Sequence, residues 1–267
     1  MTPMPPVLIL GCGFTGSRVA RRLHEGGVEV TATRRSQIDF THADALSQLA
    51  AIAPEGCVVL HSVPSLAGGA DARLLTALEG KASRVVYLST TGVYGDAEAV
   101  DETTPAMPRT PREQARVDTE ESVARGPWES LILRPAAIYG PGRGVHVSMA
   151  EGRYALMGDG ANYISRIHVE DLAGIAYAAL FAPLTGAYPV ADLLPCPSRE
   201  IAQYCSEQYG WPMPASVTAA GVPVTRRTNR RVDGRAICER LGVRLSYPTY
   251  REGIAQATRP DSMAEKS

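Results

Sequence analysis

The sequence predicts an α/β protein, a doubly wound parallel sheet followed by a smaller, mixed C-terminal lobe. Three observations carry that expectation. Short runs rich in β-branched residues, among them VLILG (7–11), CVVLHSV (57–63) and RVVYLST (84–90), suit strands buried on both faces. Helical patterns separate them, which favours right-handed crossovers in a parallel sheet. From about Gly140 the texture changes: Gly and Pro become frequent, and arginines accumulate at 143, 153, 166, 199, 226, 227, 230 and 231.

Each element follows in order. Residues 7–11 form a strand, and Ser17 to Gly26 a helix with Val19, Ala20 and Leu23 on one face. VEVTAT (28–33) is the next strand, and a third is expected around Asp39 and Phe40. Helices are expected near 44–53, 70–80 and 111–125, with strands at 57–63, 84–90 and 128–134 among them. A helix over Asp171–Phe181 returns to pack on the main sheet. The expected division is residues 1–140 plus roughly 167–185 for the sheet domain, 141–166 and 186–258 for the second lobe, and 259–267 as a tail.

Composition narrows the function classes. A formal net charge of −1 over 267 residues argues against nucleic acid or an anionic membrane as partner. The start, MTPMPPVLIL, lacks the basic n-region of a signal peptide, and the apolar run from Leu172 to Leu184 is too short to span a bilayer. A cytoplasmic protein is expected. Five cysteines form no CxxC pair, and the histidines show no HxxxH or HExxH spacing, so no metal site is expected.

GCGFTG (11–16) is G-x-G-x-x-G directly after the first strand and at the start of a helix. In that context Gly11 permits the tight turn, Gly13 admits a pyrophosphate to the backbone, and Gly16 lets the helix pack on the strand. The sheet is therefore Rossmann-type. Gly11, Gly13, Phe14, Thr15 and Gly16, with Ser62 and Val63 at the end of a later strand, form the expected dinucleotide-binding set. Arg34 and Arg35 follow the second strand with no acid beside them, which favours NADP over NAD through the 2′-phosphate. Asp39 and Phe40 are candidates to border the adenine.

YLSTTGVYG (87–95) resembles the strand-five signature of extended short-chain dehydrogenase/reductases, the epimerase/dehydratase group. LRPAAIYGPG (133–142) and MGDGANYISRIHVEDLA (157–173) resemble later segments of the same family, and GAYPVADLLPCPSREIAQY (186–204) and LGVRLSYPTYREGI (241–254) its C-terminal elements, all in the family's order. The resemblance implies that Thr90 is the Ser/Thr that hydrogen-bonds the reacting oxygen. Thr91 and Gly92 stand where sugar dehydratases hold Asp and Glu, so that chemistry is not expected. The family's catalytic Tyr and Lys positions hold Arg112 and Arg116, with Glu120 at the acid that commonly follows. The only lysines are Lys81 and Lys266, so Tyr-x-x-x-Lys occurs nowhere in the chain.

Arg116 can keep the lysine's charge and ribose contacts, though its planar fork differs from an ammonium. A guanidinium stays charged near neutral pH and has no acceptor, so Arg112 cannot cycle protons there. It could bind an anion or stabilise an oxyanion, or stand exposed on the rim of an unused cleft. Tyr94, Arg143 and Arg166 are the expected substrate contacts, with the second-lobe arginines suited to an anionic small molecule. His168 and Asp171 are expected to pack and brace. Two readings stay open: an atypical oxidoreductase or epimerase, monomeric or homodimeric, acting on a small anionic or nucleotide-sugar-like substrate, or a non-catalytic NADP-binding sensor or scaffold.

Overall fold

A computed structural model describes residues 4–64 and 70–259. The expected tail lies outside the described residues except for Arg259. In chain order the strands are β1 (Val7–Leu10), β2 (Val30–Thr33), β3 (Cys57–His61), β4 (Ala82–Leu88), β5 (Ala99–Val100), β6 (Glu129–Pro135) and β7 (Ala137–Tyr139). They continue as β8 (Leu156–Met157), β9 (Tyr163–Ile164), β10 (Arg166–His168), β11 (Gly186–Val190), β12 (Cys196–Pro197), β13 (Ser216–Val217) and β14 (Arg231–Val232). The helices are α1 (Gly16–Glu25), α2 (Ala45–Ile52), α3 (Ala70–Thr76), α4 (Pro111–Arg125), α5 (Val145–Ala150), α6 (Val169–Phe181), α7 (Ser198–Tyr209), α8 (Arg235–Leu241) and α9 (Tyr250–Ala257).

Six strands form one parallel sheet in the order β11-β6-β4-β3-β1-β2. Alternate residues of β1 serve opposite faces. Val7 and Ile9 join α1, α6 and α8 in one core, whereas Leu8 and Leu10 join α2, α3 and α4 in the other. All four β1 side chains are fully buried, each contributing about 1.5–3 kcal/mol by leaving water. The strand order reverses between β1 and β3, which opens a crevice at their carboxyl ends. The glycine turn leaves β1 at that crevice, beside Ser62 and Val63 at the end of β3.

The third strand expected at Asp39 and Phe40 does not form. The Asp39 carboxylate instead accepts hydrogen bonds from the Thr41 amide (3.0 Å) and hydroxyl (2.7 Å), closing a side-chain turn that competes with strand pairing. Phe40 is buried with Ile38, Ala45 and Leu49, so its ring is unavailable to an adenine.

Helix α4 spans the residues expected for it. Pro111 opens it with a preset φ, and Thr110 and Glu113 form a reciprocal capping box. Around α5 and α7 a separate apolar cluster holds Tyr139, Met149, Leu156, Ile201, Tyr250 and Ile254. The short pairs β8–β13 and β9–β12 frame this second lobe. Among the described residues, no helix is long and apolar enough to cross a membrane.

Candidate functional site

The glycine turn shows three distinct steric demands. Gly11 sits at φ 87°, and an added Cβ would lie 3.1–3.2 Å from Val63 and Ser62 atoms. At Gly16 a Cβ would come within 2.5 Å of the Gly11 carbonyl, so helix and strand touch backbone to backbone. Gly13 faces open space, with nothing within 4 Å of its added Cβ. The turn is tied down from both neighbouring strands: Gly11 N–H donates to Thr33 Oγ1 (3.2 Å), and the Ser62 hydroxyl donates to the Gly11 carbonyl (2.6 Å). Ser62 therefore shapes the turn through its hydroxyl. Helix α1 has no acid in its first turn, and Thr15 at its start makes no side-chain cap. The Ser17 and Arg18 amides are taken up by the Gly13 and Thr15 carbonyls, but those of Phe14, Thr15 and Gly16 donate to nothing among the described residues and, with room above Gly13, fit a phosphate.

Beside the turn, a cavity of about 530 Å³ is lined by Cys12, Ser17, Arg21, Arg34 and Gln37, among others. The two arginines after β2 thus part company. Arg34 faces this cavity, whereas Arg35 pairs with Asp39 (3.4 Å) and has an 84% exposed side chain. Hydrogen bonds from Thr41, aided by Arg35, hold the Asp39 carboxyl down to about 2.

The candidate catalytic residues lie at the carboxyl end of β4 and on α4. Thr90 caps a 3₁₀ turn over Thr91–Tyr94, its Oγ1 accepting from Gly92 N–H (3.1 Å). The Thr90 hydroxyl proton remains available to donate. Arg116 Nη1 donates to the Tyr87 hydroxyl (2.7 Å) and reaches the Val63 and Leu88 carbonyls at 3.5 Å. It therefore spans the ends of β3 and β4. Arg112, one helical turn earlier, is exposed on α4 next to Glu113, whose side chain lies against Gly92.

Two features here escaped the sequence. Tyr87 is fully buried, with its ring 4.8 Å from that of His61. Burial, with Arg116 adding to it, pushes the His61 pKa down to about 3, so the imidazole is neutral. Behind Thr90, Ser89 Oγ donates to Glu120 (2.5 Å), and Arg134 grips the same carboxylate through Nε and Nη2. Burial opposes the Arg134 charge, but Glu120 outweighs it and holds the pKa above its ordinary value.

Two expected substrate contacts are corrected. Tyr94 is 1% exposed, its ring beneath the Arg134 guanidinium at 5.0 Å, and burial raises its phenol pKa. Arg166 is 5% exposed and donates to the Ile164 carbonyl (2.7 Å) and Cys196 Sγ (3.4 Å) inside the second lobe. The third, Arg143, lies over Phe14 of the glycine turn at 5.2 Å. Most other second-lobe arginines serve the lobe itself. Arg226 and Arg231 sit on the rings of Tyr154 and Tyr163. Arg230 is buried and donates to the carbonyls of Thr91 (2.5 Å), Gly95 and Ala97 (3.1 Å), pinning the turn that follows Thr90.

His168 and Asp171 brace the fold. His168 Nδ1 accepts from Glu170 N–H (3.3 Å) at the start of α6, and burial lowers its pKa to about 4. The Asp171 carboxylate accepts from the amides of Ser246 (2.7 Å) and Tyr247 (2.9 Å).

Comparison with known proteins places this geometry. A curated relative, Protein YeeZ of Escherichia coli (strain K12), is 27% identical over 278 residues, covering 92% of this chain and 97% of its own. A solved structure of a functionally unknown conserved protein from Silicibacter pomeroyi shares 32% identity, with a TM-score of 0.77 over 95% of this chain and 98% of that one. The UDP-glucose 4-epimerase of Thermus thermophilus, solved in complex with NAD, shares the fold at a TM-score of 0.79, with 20% identity over 98% of this chain and 100% of that one. The family model for the NAD dependent epimerase/dehydratase family matches residues 7–190, the whole run from β1 to the end of β11, and the chain belongs to that family.

Proposed function

We propose that this chain is an NADP-dependent oxidoreductase or epimerase that handles a small anionic or nucleotide-sugar-like substrate without the Tyr/Lys proton transfer. The observation that carries the reading is the glycine turn. Its open Gly13 and the unbonded amides of Phe14, Thr15 and Gly16 lie at the strand-order reversal, in the same crevice as Val63 and Arg116. The division of labour follows: residues 1–140 and 167–185 bind NADP, and 141–166 and 186–258 supply the substrate side. Arg34 in its cavity takes the 2′-phosphate, with Arg35 and Asp39 on the rim. When bound, NADP supplies a hydride acceptor or donor.

The chain's own residues then do the following. Thr90 donates a hydrogen bond to the substrate oxygen, because its oxygen already accepts from Gly92. Arg116, held at the ends of β3 and β4, supplies a fixed positive charge beside the nicotinamide ribose. Arg112 supplies a second charge at the mouth, and water carries the proton. The exposed positions of α4 include Arg112, Gln114, Asp118, Glu121 and Arg125, a polar face that favours a monomer over a homodimer through this helix.

Arg116's commitment to Tyr87 favours a second reading, a cofactor-binding sensor or scaffold without turnover. Incubating protein and NADP with UDP-sugars and other sugar phosphates, while following nicotinamide absorbance and sugar epimers, separates the two. Turnover that collapses in Thr90→Ala supports the enzyme. Tight NADPH binding with no turnover, indifferent to Thr90→Ala, supports the sensor.

A further inference from the structure

The segment YGPGRG (139–144) closes a tight hairpin. Gly140 and Arg143 exchange two backbone hydrogen bonds, of 2.9 and 3.0 Å, with Pro141 and Gly142 at the corner. Pro followed by a glycine at φ 72° suits a type II turn. Gly140 seats the hairpin: a Cβ there would lie 2.6 Å from Val169 Cγ1 and 3.5 Å from Phe14 Cζ. The hairpin thus rests on the first residue of α6 and on the ring of the glycine turn.

Two guanidinium groups flank Phe14. Arg18 lies 4.5 Å from the ring centroid, and its charge is met by Glu170 (3.0 Å) and the Phe14 carbonyl (2.7 Å). Arg143 lies 5.2 Å from the same ring, is exposed, and has no ion pair or side-chain hydrogen bond among the described residues. A guanidinium held against a ring keeps its edge N–H groups open for a bidentate acceptor. The glycine turn therefore carries one charge already neutralised and one uncompensated, next to the unbonded amides of Phe14, Thr15 and Gly16.

We propose that Arg143 is a pyrophosphate clamp, delivered to the dinucleotide by the Tyr139–Gly144 hairpin, and belongs to the cofactor site rather than the substrate site. The assignment rests on the dinucleotide reading above. It also links cofactor to substrate lobe, because α5 begins at Val145, directly after the hairpin. With the clamp engaged, the second lobe is held against the glycine turn through one side chain.

The test is calorimetric titration of wild type, Arg143→Ala, Arg143→Lys and Arg34→Ala with ADP-ribose, 2′-AMP and NADPH. ADP-ribose carries the pyrophosphate without the 2′-phosphate; 2′-AMP carries the reverse. Arg143→Ala is expected to weaken ADP-ribose and NADPH roughly tenfold or more, with 2′-AMP unchanged and partial recovery in Arg143→Lys. Arg34→Ala is expected to weaken 2′-AMP and leave ADP-ribose alone. An unchanged melting midpoint would show that the exposed substitution has not disturbed folding. Equal ADP-ribose affinity in wild type and Arg143→Ala overturns the clamp and leaves the dinucleotide reading standing, as does equal weakening of 2′-AMP. Wild-type protein that binds neither ADP-ribose nor NADPH overturns both.

Discussion

The two walls of the crevice are built by different means. On one side the glycine turn after β1 works through backbone: Gly11 needs its positive φ, Gly16 needs the missing Cβ, and Gly13 leaves space. On the other side α4 works through side chains, and there Arg112 and Arg116 stand where the resemblance puts the family's Tyr and Lys. Yet α4 keeps its capping box, and its buried Glu120 still ties Arg134 and Ser89 together. The scaffold of this wall is intact, whereas on the proposed function its proton-transfer residue is gone. A binding wall made of backbone tolerates little drift; a chemical wall can lose its reagent and keep its shape.

The largest expected effect comes from breaking the backbone wall. Gly16→Val places side-chain atoms against the Gly11 carbonyl, already 2.5 Å from a bare Cβ, and is expected to abolish measurable NADPH binding. Undiminished binding would mean that the turn does not hold the ligand. Next comes the scaffold of the other wall. Glu120→Ala strands a buried Arg134 and is expected to lower stability by about 3–5 kcal/mol, read by urea unfolding. A loss below about 1 kcal/mol would show the pair to be dispensable.

A smaller effect separates the two arginines after β2. Arg34→Ala is expected to weaken NADPH about tenfold while sparing NADH, and Arg35→Ala to change neither appreciably. Reversed behaviour would move the 2′-phosphate to the Asp39 rim. The buried histidines add a pH signature. Burial lowers His61 to about 3 and His146 and His168 to about 4. Each is below the unfolded value of about 6.5, so its stabilising contribution is present above that pH and is lost as pH falls toward the folded value. The unfolding midpoint should therefore fall steadily from about pH 7 to about pH 4.5. A flat midpoint would contradict neutral, buried imidazoles. The smallest effect is Arg112→Ala, expected to shift stability by no more than about 0.5 kcal/mol because the side chain is exposed.

Much of the scaffold was legible because it rests on local rules. The glycine turn follows a β-branched run, and Thr110, Pro111 and Glu113 announce the start of α4. The strand expected at Asp39 and Phe40 fails because the Asp39 carboxylate captures the Thr41 amide, a side-chain choice that propensity does not show. The arginines were the least legible. Arg34, Arg143, Arg166 and Arg230 look alike in sequence, yet one lines a cavity, one covers Phe14, and two are buried on carbonyls and a thiol. What meets a guanidinium is set by segments distant along the chain, which no local pattern encodes. Tyr87 was missed for the same reason: it reads as a strand residue until Arg116 reaches its hydroxyl.

The most direct test of the central claim, an intact cofactor wall facing a rewritten chemical one, is a fluorescence titration of dinucleotide-stripped protein with NADPH and, in parallel, NADH. Micromolar NADPH binding with NADH at least about tenfold weaker is the predicted result. Failure to bind either would contradict it, leaving the glycine turn as fold without ligand.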